Sequence, residues 1–134
     1  MIVVETSALI SIFAEEEDSE RYARCIASDD APYIAVSSVL ECSMVIRGSR
    51  RLESAQSEVW LDSFLASGRV TIEPIGLEDL KFARNAHIQY GKGSGHPAQL
   101  NFGDCFSYAL AKRLNAPLLY KGGDFSRTDI KSAL

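Results

Sequence analysis

Ile2-Val3-Val4-Glu5-Thr6-Ser7-Ala8, at the head of the chain, decides the fold class. Three consecutive β-branched residues read as a strand buried on both faces, because a strand with one wet face alternates apolar with polar. An acid closes the run, and Ala8 to Phe13 continues the apolar pattern as a short helix. Further along, Ser19 to Ala27 places Tyr22, Cys25 and Ile26 at helical spacing, and Tyr33 to Val36 is a second strand. Ser38-Val39-Leu40-Glu41 matches a capping box, which puts Glu41 in the first turn of the next helix, with Val39, Cys42 and Ile46 as its apolar stripe. Arg47 to Arg51 reads as a basic loop. A helix over Leu52 to Ala66 is closed by Gly68, and Arg69 to Ile75 is a third strand. Leu80, Ala83, His87 and Tyr90 form one more helical stripe. After the glycine-dense loop from Gly91 to Pro97, a helix begins near Asn101, and Pro117 to Tyr120 is the last strand. Strands separated by helices imply a parallel sheet with helices packed over it, an α/β fold in one domain spanning residues 1–134.

Composition narrows the function. The chain has 134 residues, with 46% hydrophobic and 24% charged, which excludes a disordered or collagen-like protein. Fourteen Lys and Arg against eighteen Asp and Glu give a net charge of −4. That argues against coating nucleic acid by bulk attraction, which needs a basic footprint. The N-terminal apolar run has no positive leader, is interrupted at Glu5 and is too short to span a bilayer. Three cysteines, Cys25, Cys42 and Cys105, offer neither an even disulfide framework nor a C-x-x-C metal site, and read as small buried hydrophobes. The expectation is a cytoplasmic protein with no membrane segment.

Four acids stand where a parallel sheet brings its ligand crevice together. Strand C-termini and the helix N-termini that follow them share one edge of the sheet. Glu5 ends the first strand, Glu41 and Asp104 lie near helix starts, and Asp124 follows the last strand. Taken singly, Glu41 reads as a capping partner, Asp104 as an answer to a helix dipole and Asp124 as a turn former. Glu5 resists such a reading, since a carboxylate at the end of a buried strand is costly without a partner. Crowded carboxylates repel unless a cation compensates, and a hard divalent ion such as Mg²⁺ suits an all-oxygen set. Such an ion can activate water and neutralise a phosphate under in-line attack.

The chain resembles a PIN-domain ribonuclease of the VapC toxin type along nearly its whole length. The resemblance is carried by Ile2 to Ala8, by His96 to Cys105 (HPAQLNFGDC) with Tyr108-Ala109-Leu110-Ala111, and by Leu118 to Phe125 (LLYKGGDF). It implies a three-layer α/β/α sandwich around a central parallel sheet and an acidic Mg²⁺ or Mn²⁺ site. It also implies endoribonuclease activity, a cognate VapB-type antitoxin that docks over the site, and a homodimer or higher oligomer. Under it, Glu5 and Asp104 match the principal metal-binding acids, Glu41 the acid at the start of the third helix, and Asp124 the closing acidic motif. Thr6 and Ser7 match the hydroxyls that support the first acid or the metal's waters. Two positions depart from the pattern: Glu5 stands where Asp is usual, and Gly122 where an earlier closing acid often stands.

The remaining signals are weaker. His87 reads as a core histidine on its apolar stripe, and His96 as a loop-shaping residue or a partner contact. Gly91-Lys92-Gly93-Ser94 fails the phosphate-loop spacing, because position 86 is Ala. Arg47, Arg50 and Arg51 form the densest basic cluster. Expected function is therefore Mg²⁺-dependent hydrolysis of RNA by a metal-activated water, as the toxin of a toxin–antitoxin pair. The alternative is a catalytically silent module that holds a basic partner segment in the same crevice. A phosphotransfer protein of haloacid-dehalogenase type needs an acid two residues after its nucleophile, where this chain has Ser7. Without the four acids, the remaining Asp and Glu equal the Lys and Arg in number. The net charge thus has the size of one pocket.

Overall fold

The computed structural model describes all residues, Met1–Leu134. Strand β1 (Ile2–Val4) lies inside a four-stranded parallel sheet with β2 (Pro32–Ala35), β3 (Thr71–Glu73) and β4 (Leu118–Leu119), in the order β3-β2-β1-β4. Successive residues of β1 serve opposite faces, as strand geometry requires. Ile2 and Val4 pack with α1 (Thr6–Phe13), α2 (Ser19–Ser28), α3 (Val36–Ser49) and α4 (Ser54–Ser67). Val3 packs with α5 (Leu77–Tyr90) and α6 (Phe102–Leu114) on the other side. This is a three-layer α/β/α sandwich, and the consecutive apolar run exists because neither face of β1 meets water.

Sheet order places the crevice. From β1 the chain steps outward through β2 to β3, then returns to put β4 on the other flank of β1. Direction reverses at β1 and β4, and their carboxyl ends open the gap in which α/β sheets bind ligands. Glu5 extends the pairing by one step, its N–H donating to the Leu119 carbonyl at 2.9 Å.

Several local expectations are corrected. Helix α3 starts at Val36 directly from β2, with Ala35 as N-cap and no side-chain cap. Ser38 therefore sits inside the helix, where its buried hydroxyl meets Ser107 of α6 at 3.0 Å, and Glu41 lies in the second turn rather than the first. The strand runs straight into the helix, which starts two residues before Ser38, so the serine is not at the N-cap position. Arg47 and Gly48 belong to α3, which ends at Arg50 in the left-handed conformation (φ 57°), so the basic loop is mostly helix. On α5, His87 is exposed and Leu80 is 46% exposed, while Asp79, Ala83, Ala86 and Tyr90 face inward. Asp79 fixes that rotation by pairing with Arg113 of α6 at 2.7 Å, and the small Ala83 and Ala86 let the two helices approach. The third strand is short and Ile72 is half-exposed, because β3 is the sheet edge. Cys42 and Cys105 are buried as expected, but Cys25 is only partly so. No helix is long and apolar enough to cross a membrane.

Candidate metal centre

At the switch point lies a crevice of about 390 Å³ lined by Glu5, Glu41, Asp104 and Asp124 together with Thr6 and Ser7. All six residues singled out from the sequence thus meet in one place. Glu5 is the N-cap of α1, and its Oε2 accepts the Ser7 N–H at 2.8 Å and the Ser7 hydroxyl. The chain thereby uses the carboxylate that ends β1 to satisfy orphan donors at the start of α1. Thr6, the next residue, donates its hydroxyl to Glu41 Oε1 at 2.5 Å, tying α1 to α3. Asp104 is held by a reciprocal cap. Its Oδ2 accepts the Asn101 N–H at 3.0 Å, while its own N–H donates to Asn101 Oδ1 at 2.9 Å. Asp124 sits exposed on the rim, in the turn beyond β4.

Gly103 sets how closely α3 and α6 approach here. A Cβ at this position would stand 2.6 Å from Glu41 Oε2, so glycine is what lets that carboxylate lie against the first turn of α6. This role, the Asn101 cap and two rim residues, Glu16 and Lys121, were not singled out in the sequence. The Asn101-x-x-Asp104 spacing carries the cap signal in the sequence, whereas the Gly103 contact is between helices far apart in the chain.

The electrostatics are those of carboxylates short of a counter-charge. Burial pushes the Glu5 carboxyl up to about 7; the Ser7 hydrogen bonds pull the other way, and Asp104 and Glu41 add repulsion. Asp104 rises to about 6, mainly through burial, against the Asn101 bond and with repulsion from Glu41 and Asp124. No ion pair of the molecule includes any of the four acids; the one on the crevice wall joins Lys121 to Glu16. An all-oxygen set of this kind fits a hard divalent cation. No three of the acids form a ready-made ligand group. Mg²⁺ does not require one, since it keeps several waters and takes one or two carboxylates.

An acidic crevice at the switch point of a parallel three-layer sandwich defines an α/β protein whose ligand site suits a hard cation. Residues 2–131 match the model of the PIN domain. The chain is 40% identical over 133 residues to ribonuclease VapC28 of Mycobacterium tuberculosis, covering 99% of this chain and 98% of that one. It is 41% identical over 129 residues to the ribonuclease VapC of Mycolicibacterium smegmatis, covering 96% and 97%. The chain belongs to the PIN domain family, among its VapC ribonucleases. Solved structures agree on the fold. The Mycobacterium tuberculosis VapC20 toxin, which cleaves the sarcin-ricin loop, superposes with a TM-score of 0.76 at 16% identity, over 97% of this chain and 96% of that one. VapBC2 of Rickettsia felis, bound to a promoter DNA fragment, gives 0.75 at 17% identity, over 98% and 96%.

Proposed function

We propose that the acidic crevice is the catalytic centre of a divalent-metal-dependent endoribonuclease, the toxin of a VapBC-type pair, with Mg²⁺ as cofactor and Mn²⁺ as a substitute. One observation carries this reading: four carboxylates, two of them buried and pushed toward neutrality, share a crevice without a cation on any of them. Glu5 and Asp104 would hold the ion. When bound, it neutralises charge on the scissile phosphate and lowers the pKa of water. Glu41 has Oε1 taken by Thr6, which leaves Oε2 to orient the attacking water. Asp124 adds negative potential from the rim, and Ser7 and Thr6 fix the rotamers of the two glutamates. In-line attack by water leaves a 5′-phosphate and a 3′-hydroxyl.

The chain works as a single PIN domain over residues 1–134, in a homodimer or higher oligomer, in the cytoplasm. Its partners are the RNA substrate and a cognate VapB-type antitoxin, whose basic side chain would neutralise the same crevice. A catalytically silent binding module is favoured by one detail, the Glu5 carboxylate turned back onto Ser7. Incubation of purified protein with a single-stranded RNA, in Mg²⁺ and in EDTA, separates the two. The nuclease reading expects EDTA-sensitive cleavage with 5′-phosphate ends. Intact RNA, or 2′,3′-cyclic phosphate ends that form equally well in EDTA, would refute it.

A further inference from the structure

The crevice has one basic side chain on its wall, and that side chain does not touch the acids at its centre. Lys121 is the only Lys or Arg lining the space. Its Nζ pairs with Glu16 at 2.9 Å, also on the wall. The Lys121 backbone is fixed to the site, because its N–H donates to Ser7 Oγ at 2.8 Å and that hydroxyl in turn donates to Glu5. One hydrogen-bonded chain therefore positions both Glu5 and Lys121. The Arg47 and Arg51 side chains, by contrast, are engaged by Glu58 at 3.0 Å and Glu15 at 3.7 Å, and neither lines the crevice.

We propose that Lys121 is the phosphate anchor of the substrate, exchanging Glu16 for a non-bridging oxygen of the RNA backbone beside the scissile bond. The inference rests on the ribonuclease reading of the crevice and adds the residue that draws a polyanion into it. A wall of carboxylates repels the RNA backbone, and backbone contacts are what set the register of a nucleic acid on a protein. Exposed ion pairs hold weakly, so the Lys121–Glu16 pair is readily exchanged for a phosphate. While RNA is absent, Glu16 holds the ammonium on the wall and away from the carboxylates.

Steady-state cleavage of a fluorogenic single-stranded RNA by the full chain in Mg²⁺ tests this, with binding of the same oligonucleotide read by fluorescence anisotropy. Lys121→Met keeps the aliphatic stem and is expected to raise KM about tenfold with little change in kcat, as loss of one charge-assisted contact does. The slope of log affinity against log salt should shrink by about 0.7, one phosphate's worth on a single strand. Lys121→Arg should restore KM. Glu16→Gln should lower KM, and that gain should vanish in a Lys121→Met background. An unchanged KM and salt slope in Lys121→Met would overturn the proposal, as would a Glu16→Gln gain that persists without Lys121. If the wild type does not cleave at all, the ribonuclease reading fails, and anisotropy alone decides whether Lys121 binds the RNA backbone.

Discussion

Replacing Glu5 by Gln in the metal-free protein should stabilise the fold. The Glu5 carboxyl, ordinarily near 4.5, titrates in the folded chain at about 7. Its ionised form is therefore disfavoured by folding by about 3 kcal/mol, at 1.36 kcal/mol for each pH unit. Because the folded value is the higher one, the favourable contribution is complete below 4.5 and is lost as pH rises through 7. Glutamine keeps an oxygen with two lone pairs for the Ser7 N–H and hydroxyl but never ionises. In EDTA at pH 8 the variant should gain about 3 kcal/mol, or about 10 °C in Tm for a chain of this size. Near pH 4.5 the two proteins should melt together. Added Mg²⁺ should raise the wild-type Tm, since a ligand of the folded state stabilises it, and should narrow the gap to the variant. Thermal melts by circular dichroism across this pH range provide the assay. A variant less stable than wild type at pH 8 in EDTA would show that Glu5 has a counter-charge after all. An advantage that persisted unchanged at pH 4.5 would detach it from ionisation.

Two further substitutions test the frame around the site. Gly103→Ala puts a methyl 2.6 Å from Glu41 Oε2, so the flexible carboxylate must move while the helix does not. Stability should change by less than about 1 kcal/mol, the helical gain of alanine offsetting the contact. Cleavage should fall about 100-fold, as misplacement by an ångström costs, whereas the control Gly48→Ala, with nothing within 4 Å, should keep full activity. Asp79→Asn weakens the 2.7 Å pair to the partly buried Arg113, which keeps Glu73 at 3.2 Å, and should cost about 2 kcal/mol in urea unfolding, with kcat unchanged at temperatures where it stays folded.

Much of this fold is legible in the chain because burial writes directly onto residue type. Ile2-Val3-Val4 can be consecutive only where both faces of the strand are dry, and the two core clusters divide those residues as that demands. Glu5 and Asp124 fall where they do because strand ends in a parallel sheet share an edge. Local signals misled where a partner remote in sequence outweighs them. Ser38 has a capping pattern, but the helix starts at Val36 and the serine hydroxyl meets Ser107 instead. The α5 stripe through Leu80 and His87 looked as good as the true face, which is chosen by the Asp79–Arg113 pair across to α6. Glu41 belongs to the second turn rather than the first and reaches the crevice through Thr6 and the gap at Gly103, contacts that the capping pattern does not carry. Lys121 stayed invisible because a lysine in a turn has no pattern until the sheet puts it beside Glu16.

Cleavage of RNA by Asp104→Asn tests the central claim most directly. The asparagine oxygen can still accept the Asn101 N–H, so the cap on α6 survives. Loss of a carboxyl whose ionisation is displaced to about 6 should leave the metal-free fold at least as stable at neutral pH. The account predicts a folded protein with Mg²⁺-dependent cleavage abolished. Undiminished, EDTA-sensitive cleavage by the purified variant would contradict it and move the catalytic centre out of this crevice.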